Sequence, residues 1–210
     1  LILQSDHTIL LETAHPEYAE ARDRLAQFPE LVKCPDYIHT YRLSHISIWN
    51  AAALGLPLAE ILDYLEEASR YPVPRVVKED ITLWYGRFGQ LTMVREGERL
   101  LLRTSEPNLL QGLRHMKGID EWLTGEAAEG ALVLREAGRG PVKQMLARKV
   151  YPVEDLAGYV PGTPLTVELR PTTGEGRPFA LRRYQEEAAR VFHAGGTARG
   201  GSGVICLPCG

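Results

Sequence analysis

Cysteine is scarce in this chain: Cys34, Cys206 and Cys209 are the three among 210 residues. Three thiols cannot build a disulfide framework, which excludes the small stapled secreted scaffolds and fits a reducing compartment. Long apolar runs are also missing, so nothing in the sequence reads as a membrane-spanning helix. The opening Leu1-Ile2-Leu3-Gln4-Ser5-Asp6 has neither the basic segment nor the apolar stretch of a signal peptide, and a cytoplasmic location is expected. Positive net charge is absent too: 24 Lys and Arg against 27 Asp and Glu leave the chain at −3. A uniformly basic nucleic-acid binder is thereby excluded, and any DNA contact must come from local clustering.

The cations do cluster. The first thirty residues are acidic, whereas Arg135, Arg139, Lys143, Arg148 and Lys149 form a basic group in the second half, followed by Arg170, Arg177, Arg182, Arg183, Arg190 and Arg199. This group is the candidate DNA-binding set, a solvated basic face being the plain alternative. Apolar residues make up 44% of the chain, enough for two or three small cores.

The periodicities predict an α+β chain. Two strands, Ile2 to Gln4 and Thr8 to Leu11, flank the turn-forming Ser5-Asp6-His7. Pro16 opens a helix carrying Tyr18, Ala21, Leu25 and Phe28 on one face, and Pro29 closes it. A strand from Tyr37 to Arg42 precedes a helix capped by Ser44 and ended by Gly55. Pro57 starts a helix with Leu58, Ile61, Leu62 and Leu65 inward and Glu60, Asp63, Glu66 and Glu67 outward. A third helix spans Pro74 to Phe88. Three short helices with tight turns suggest a winged-helix-like module, whose acidic middle face favours protein contact over DNA readout. Trp49 and Trp84 sit at apolar helical spacing and are read as core.

Alternation replaces the helical period after Gly89. Leu91, Met93, Leu100 and Leu102 flank Arg95-Glu96-Gly97-Glu98 as a hairpin. A helix opened by Ser105 and Pro107, a strand from Ala131 to Leu134 and a helix from Pro141 to Val150 complete a small β-β-α-β-α module. Gly118 to Gly130 has no period and is read as loop; Pro152, Gly158, Pro161, Gly162 and Pro164 mark a linker.

The last segment carries the strongest chemical signal. Leu181-Arg182-Arg183-Tyr184-Gln185 opens an amphipathic helix to Phe192, a glycine-rich loop follows, and Gly203-Val204-Ile205-Cys206-Leu207-Pro208-Cys209-Gly210 reads as a buried strand delivering backbone to a phosphate-cradling loop. The Lys and hydroxyl that would hold phosphates and magnesium are not among these residues, so the 210 residues alone should not hydrolyse ATP. Cys206 and Cys209 also form a C-x-x-C, but Cys34 and six scattered histidines offer no second ligand pair for zinc. Gly195, Gly196, Gly200, Gly201 and Gly203 follow a helix and precede a strand, the reverse of a dinucleotide fingerprint. Glu186 and Glu187 read as helix surface, and His193 as a helix-end residue rather than a base.

Leu181-Arg182-x-Tyr184-Gln185 followed by Val204 to Gly210 resembles the nucleotide-recognition motif and Walker A approach of superfamily 2 helicases of the XPB type. Ile2-Leu-Gln-Ser-Asp6, Tyr41-Arg-Leu43 and Tyr71-Pro-Val-Pro74 are similar to the N-terminal domain of the same family. The resemblance implies a helicase N-terminal domain over 1–88, a damage-recognition-like domain over 89–158, and a linker with the first helix and strand of a RecA-like α/β lobe over 159–210. It also implies that Gln185 reads adenine, with Arg182 and Tyr184 shaping the pocket, and that Cys209 and Gly210 begin the phosphate loop. The intact protein would then be an ATP- and magnesium-dependent 3'-5' DNA helicase. Its partners would be double-stranded or damaged DNA and a repair nuclease or transcription-repair complex, with no membrane. Leu207 stands where a general Walker A loop has its first small residue. The same residues also allow a scaffold that docks partner proteins without touching DNA.

Overall fold

The structure, a computed structural model, describes residues 1–159, 162–197, 200, 201, 203 and 205. Cys209, Gly210 and most of the anticipated phosphate-loop strand lie outside the described residues. The fold is mixed α/β, with two sheets and seven α-helices among the described residues.

Strands β1 (Ile2–Leu3), β2 (Thr8–Glu12), β3 (Glu30–Lys33) and β4 (Ile38–Arg42) form an antiparallel sheet in the order β1-β2-β4-β3. The β1–β2 turn is held where the sequence puts it. Asp6 Oδ1 accepts from the Thr8 amide at 3.0 Å, and His7 takes a left-handed φ of 69°. Helix α1 (Tyr18–Leu25) is shorter than its apolar spacing suggests. Phe28 still reaches the core, but past the helix, because the chain turns at 26–29 to enter β3. That strand leaves no mark in the sequence pattern, because Leu31 and Val32 are both exposed and show no alternation.

Helix α2 (His45–Ala53) begins as expected at Ser44, whose Oγ accepts from the Ser47 amide at 3.1 Å while Ser47 Oγ accepts from the Ser44 amide at 3.0 Å. Gly55, at φ 81°, turns the chain out of it. Helices α3 (Leu58–Ala68) and α4 (Arg75–Arg87) follow. Their buried residues, Ile61, Leu65, Val77 and Ile81, pack with Ile48 and Ala51 of α2 onto Ile9, Leu11 and Tyr41 of the sheet and Leu43 just past β4. Trp49 is buried and its indole N–H donates to the Trp84 carbonyl at 2.9 Å, the structural role expected of both tryptophans.

A second core begins at β5 (Leu91–Glu96) and β6 (Arg99–Arg103), the anticipated hairpin. After α5 (Pro107–Arg114), residues read as loop contain a short 3-10 turn at Asp120–Trp122 and a strand, β7 (Leu123–Ala128), paired with β8 (Ala131–Leu134). Its register shift and its glycine hide the period from the sequence. Helix α6 (Arg139–Arg148) is followed by β9 (Val153–Asp155), which runs parallel to β5 within the segment read as linker. The sheet order is β7-β8-β6-β5-β9. Leu113, Val142 and Leu146 cover one face against Leu91, Met93, Leu100, Leu102, Leu132 and Leu134. Beyond it, Leu165, Val167 and Leu169 are exposed without secondary structure before α7 (Arg183–His193).

Candidate nucleotide and DNA interfaces

Helix α7 presents the candidate adenine-binding residues. Gln185 stands in its first turn, and its side-chain Oε1 accepts from the Arg182 amide at 2.9 Å, one of the donors a helix start leaves without an intrahelical partner. The carboxamide is thereby fixed in orientation, with its Nε2 hydrogens left to meet a ligand. Tyr184, Gln185, Ala188, Ala189 and Phe192 of the helix join Ile205 in lining an apolar cleft of about 310 Å³. A mostly apolar lining with an aromatic ring at either end of the helix face and one carboxamide offers the residue types a purine ring uses. The structure brings Tyr184 and Gln185 together there, while Arg182 does not line the cleft and Cys209 and Gly210 lie outside the described residues.

The basic group is divided by the fold. At roughly 100° per residue, Arg139 and Lys143 share one flank of α6, whereas Arg148 falls on the opposite side. Both flank residues converge on Asp155 of β9. Arg139 donates from Nε and Nη2 to the two carboxylate oxygens at 2.9 and 3.0 Å, and Lys143 Nζ donates to Oδ2 at 2.5 Å. The Ala157 amide adds a fourth donor at 3.2 Å. Burial pushes the Asp155 carboxyl up, but the hydrogen bonds from Arg139 and Lys143 outweigh it and hold the group below the usual aspartate value. Arg95 and Glu136, paired at 2.7 Å, extend the network, so three cations face two carboxylates.

Arg139 also stacks on Tyr159, 5.6 Å from the ring centroid, and that ring lies against Gly201, where a Cβ would come within 2.9 Å of it. Arg135 is exposed and donates to the Leu123 carbonyl at 3.3 Å. Arg148 and Lys149 are exposed at the C-terminal end of α6 with no described ion-pair partner. Of the five candidate cations, three are therefore exposed and two, partly exposed, are held in ion pairs with Asp155. Asp155 and Tyr159 are site residues that no sequence pattern singles out. The only available signal is an acid following the basic helix within reach of a folded-back strand. Among the described residues no group of His, Cys, Asp and Glu could hold a metal ion, and no helix is long and apolar enough to cross a membrane.

Residues 1–128 match the family model described as the helicase conserved C-terminal domain. The chain is 39% identical over its whole length to a "DNA 3'-5' helicase XPB" of Kineococcus radiotolerans and 38% identical to a protein of the same description from Mycobacterium tuberculosis. It is also 28% identical, over 98% of its length, to the "General transcription and DNA repair factor IIH helicase/translocase subunit XPB" of Encephalitozoon cuniculi. It spans 36%, 37% and 30% of these relatives respectively, so about a third of their length.

Proposed function

The chain belongs to the helicase conserved C-terminal domain family, and on that footing we propose that it is the DNA-engaging and regulatory part of an ATP-dependent DNA-repair helicase of the XPB kind. The observation that carries this reading is the full-length similarity, from the first sheet through α7, to two proteins described as DNA 3'-5' helicases. In this reading the first sheet and helices α1 to α4 form the helicase's leading domain, and the β5-to-β9 unit is the damage-recognition-like element. Helix α7 begins the RecA-like lobe.

Arg135, Arg148 and Lys149 meet duplex phosphates from the exposed end and edge of the second unit. Such contacts position the protein without reading base sequence, and lesion preference then follows from how easily a damaged duplex deforms. Gln185, Tyr184 and the α7 cleft hold the adenine of ATP. Phosphate and magnesium ligation would come from residues of the intact helicase beyond those described, and those groups supply the hydrolytic chemistry. Transcription-repair subunits or a repair nuclease are the proposed protein partners.

A second reading, a scaffold that docks partner proteins without binding DNA, is favoured by one feature. The β3–β4 hairpin leaves four large apolar residues, Leu31, Val32, Tyr37 and Ile38, exposed. A salt series separates the two. Binding of a labelled duplex by the purified chain should weaken steeply as salt rises, because each phosphate contact releases counterions. Absence of duplex binding at low salt, or binding indifferent to salt, would favour the scaffold.

A further inference from the structure

We infer that Asp155 is an autoinhibitory stand-in for a DNA phosphate: it occupies the Arg139–Lys143 anion cradle in the free protein and must be displaced before those two cations reach a duplex. The inference rests on the DNA-engaging reading above and concerns how that surface is regulated.

The geometry is that of an oxyanion site already filled. A planar guanidinium grips both carboxylate oxygens in parallel and an ammonium closes on one of them, while the Ala157 amide makes a local turn with Asp155 and travels with it. Guanidinium forks bind carboxylate and phosphate oxygens with the same bidentate geometry, so the cradle is chemically indifferent to which anion fills it. Position makes exchange feasible. Arg139 and Lys143 keep 23% and 36% of their side-chain surface, whereas Asp155 keeps 15%, so the cations form the outer layer and the acid the inner one. β9, which carries Asp155, is three residues long and edges the sheet through its pairing with β5 alone. A short edge strand is among the cheaper parts of a sheet to shift.

Charge balance points the same way. With Arg95 and Glu136 included, the cluster retains one unit of positive charge while Asp155 is seated. An approaching phosphate is attracted, but meets cations whose hydrogen bonds are already made.

Asp155→Asn tests the latch. It keeps the shape and one acceptor oxygen, and removes the charge that competes with phosphate. Affinity for a mixed-sequence duplex of about 30 base pairs should rise by roughly three- to tenfold at low salt, and the salt slope should steepen by up to about two, near 0.9 for each cation released. The gain should vanish in Arg139→Ala/Lys143→Ala/Asp155→Asn. Unchanged or weaker binding by a folded Asp155→Asn protein would overturn the latch.

Lys143→Gln gives a readout that leaves Asp155 held by Arg139. A closed latch predicts less than about a twofold loss of wild-type affinity, whereas a loss of fivefold or more would show Lys143 already on DNA and sink the proposal. Failure of the underlying reading looks different: Arg135→Ala/Arg148→Ala/Lys149→Ala would then leave duplex binding untouched. Sensitivity to that triple substitution with no response to Asp155→Asn would remove the latch alone.

Discussion

Arg87, the last residue of α4, places its guanidinium carbon 4.5 Å from the centroid of the Tyr151 ring. The same side chain donates from Nη1 to the Val150 carbonyl at 2.9 Å. One residue thus ties the helices of the first core to the strand connection of the second, and it does so at the C-terminal end of α6, where a cation meets carbonyls left without helical donors.

Arg87→Ala should therefore loosen the seam rather than either core. The expected loss is about 1–3 kcal/mol, from the charged hydrogen bond and the stacking together. Denaturant unfolding followed by tryptophan fluorescence and by far-ultraviolet dichroism should lose coincidence, since Trp49 and Trp84 sit in the first core and Trp122 packs on the second. An unchanged, coincident transition would show that the two cores do not depend on this contact.

The cap of α2 gives a local test. Ser44→Ala removes the acceptor for the Ser47 amide and should cost about 1 kcal/mol, while Ser44→Gly should cost only a few tenths. Thermal melts that rank alanine above glycine would contradict the capping account.

Core and surface leucines should part widely. Leu146 is fully buried, and its replacement by Ala should cost about 2–5 kcal/mol, whereas Leu165, 82% exposed, should tolerate Ala within about 0.5 kcal/mol. Equal effects on the denaturation midpoint would place α6 wrongly against its sheet.

Much of this fold is legible from residue types. The Ser44 cap, the Gly55 exit, the Gly97 hairpin and the inward face of α3 each rest on a local rule that the tertiary fold leaves alone. β3 and β7 are hidden because their residues do not alternate: β3 is an edge strand exposed on both faces, and β7 shifts register at its glycine. β9 is hidden for another reason. Three residues after Pro152 carry no period, and only the parallel partner β5, about sixty positions earlier, makes them a strand. Asp155 is concealed with it. The spacing that puts Arg139 and Lys143 on one flank is readable, but the acid that occupies them is brought there by that long-range pairing. Gln185 is legible through its motif, and its bond to the Arg182 amide adds why it stands rigidly at the start of α7.

Asp155 also sets an acid response. Its carboxyl is depressed in the folded protein, so it contributes stability that is fully present above the ordinary aspartate range and is lost as pH falls through the lowered value. Stability measured by denaturant at successive pH values should fall below about pH 4, and Asp155→Asn should flatten that part of the curve. A wild-type profile matching the Asn variant through the acid range would contradict the pairing with Arg139 and Lys143.

Contact between the solvent-exposed cations around α6 and duplex phosphates is the central claim. The most direct measurement compares the wild-type chain with Arg135→Ala/Arg148→Ala/Lys149→Ala by fluorescence anisotropy on a labelled duplex across a salt series, with dichroism confirming that both are folded. The account predicts weaker binding for every sequence tried and a salt slope shallower by up to about three, near 0.9 for each phosphate no longer neutralised. Identical affinity and slope in the two proteins would contradict it.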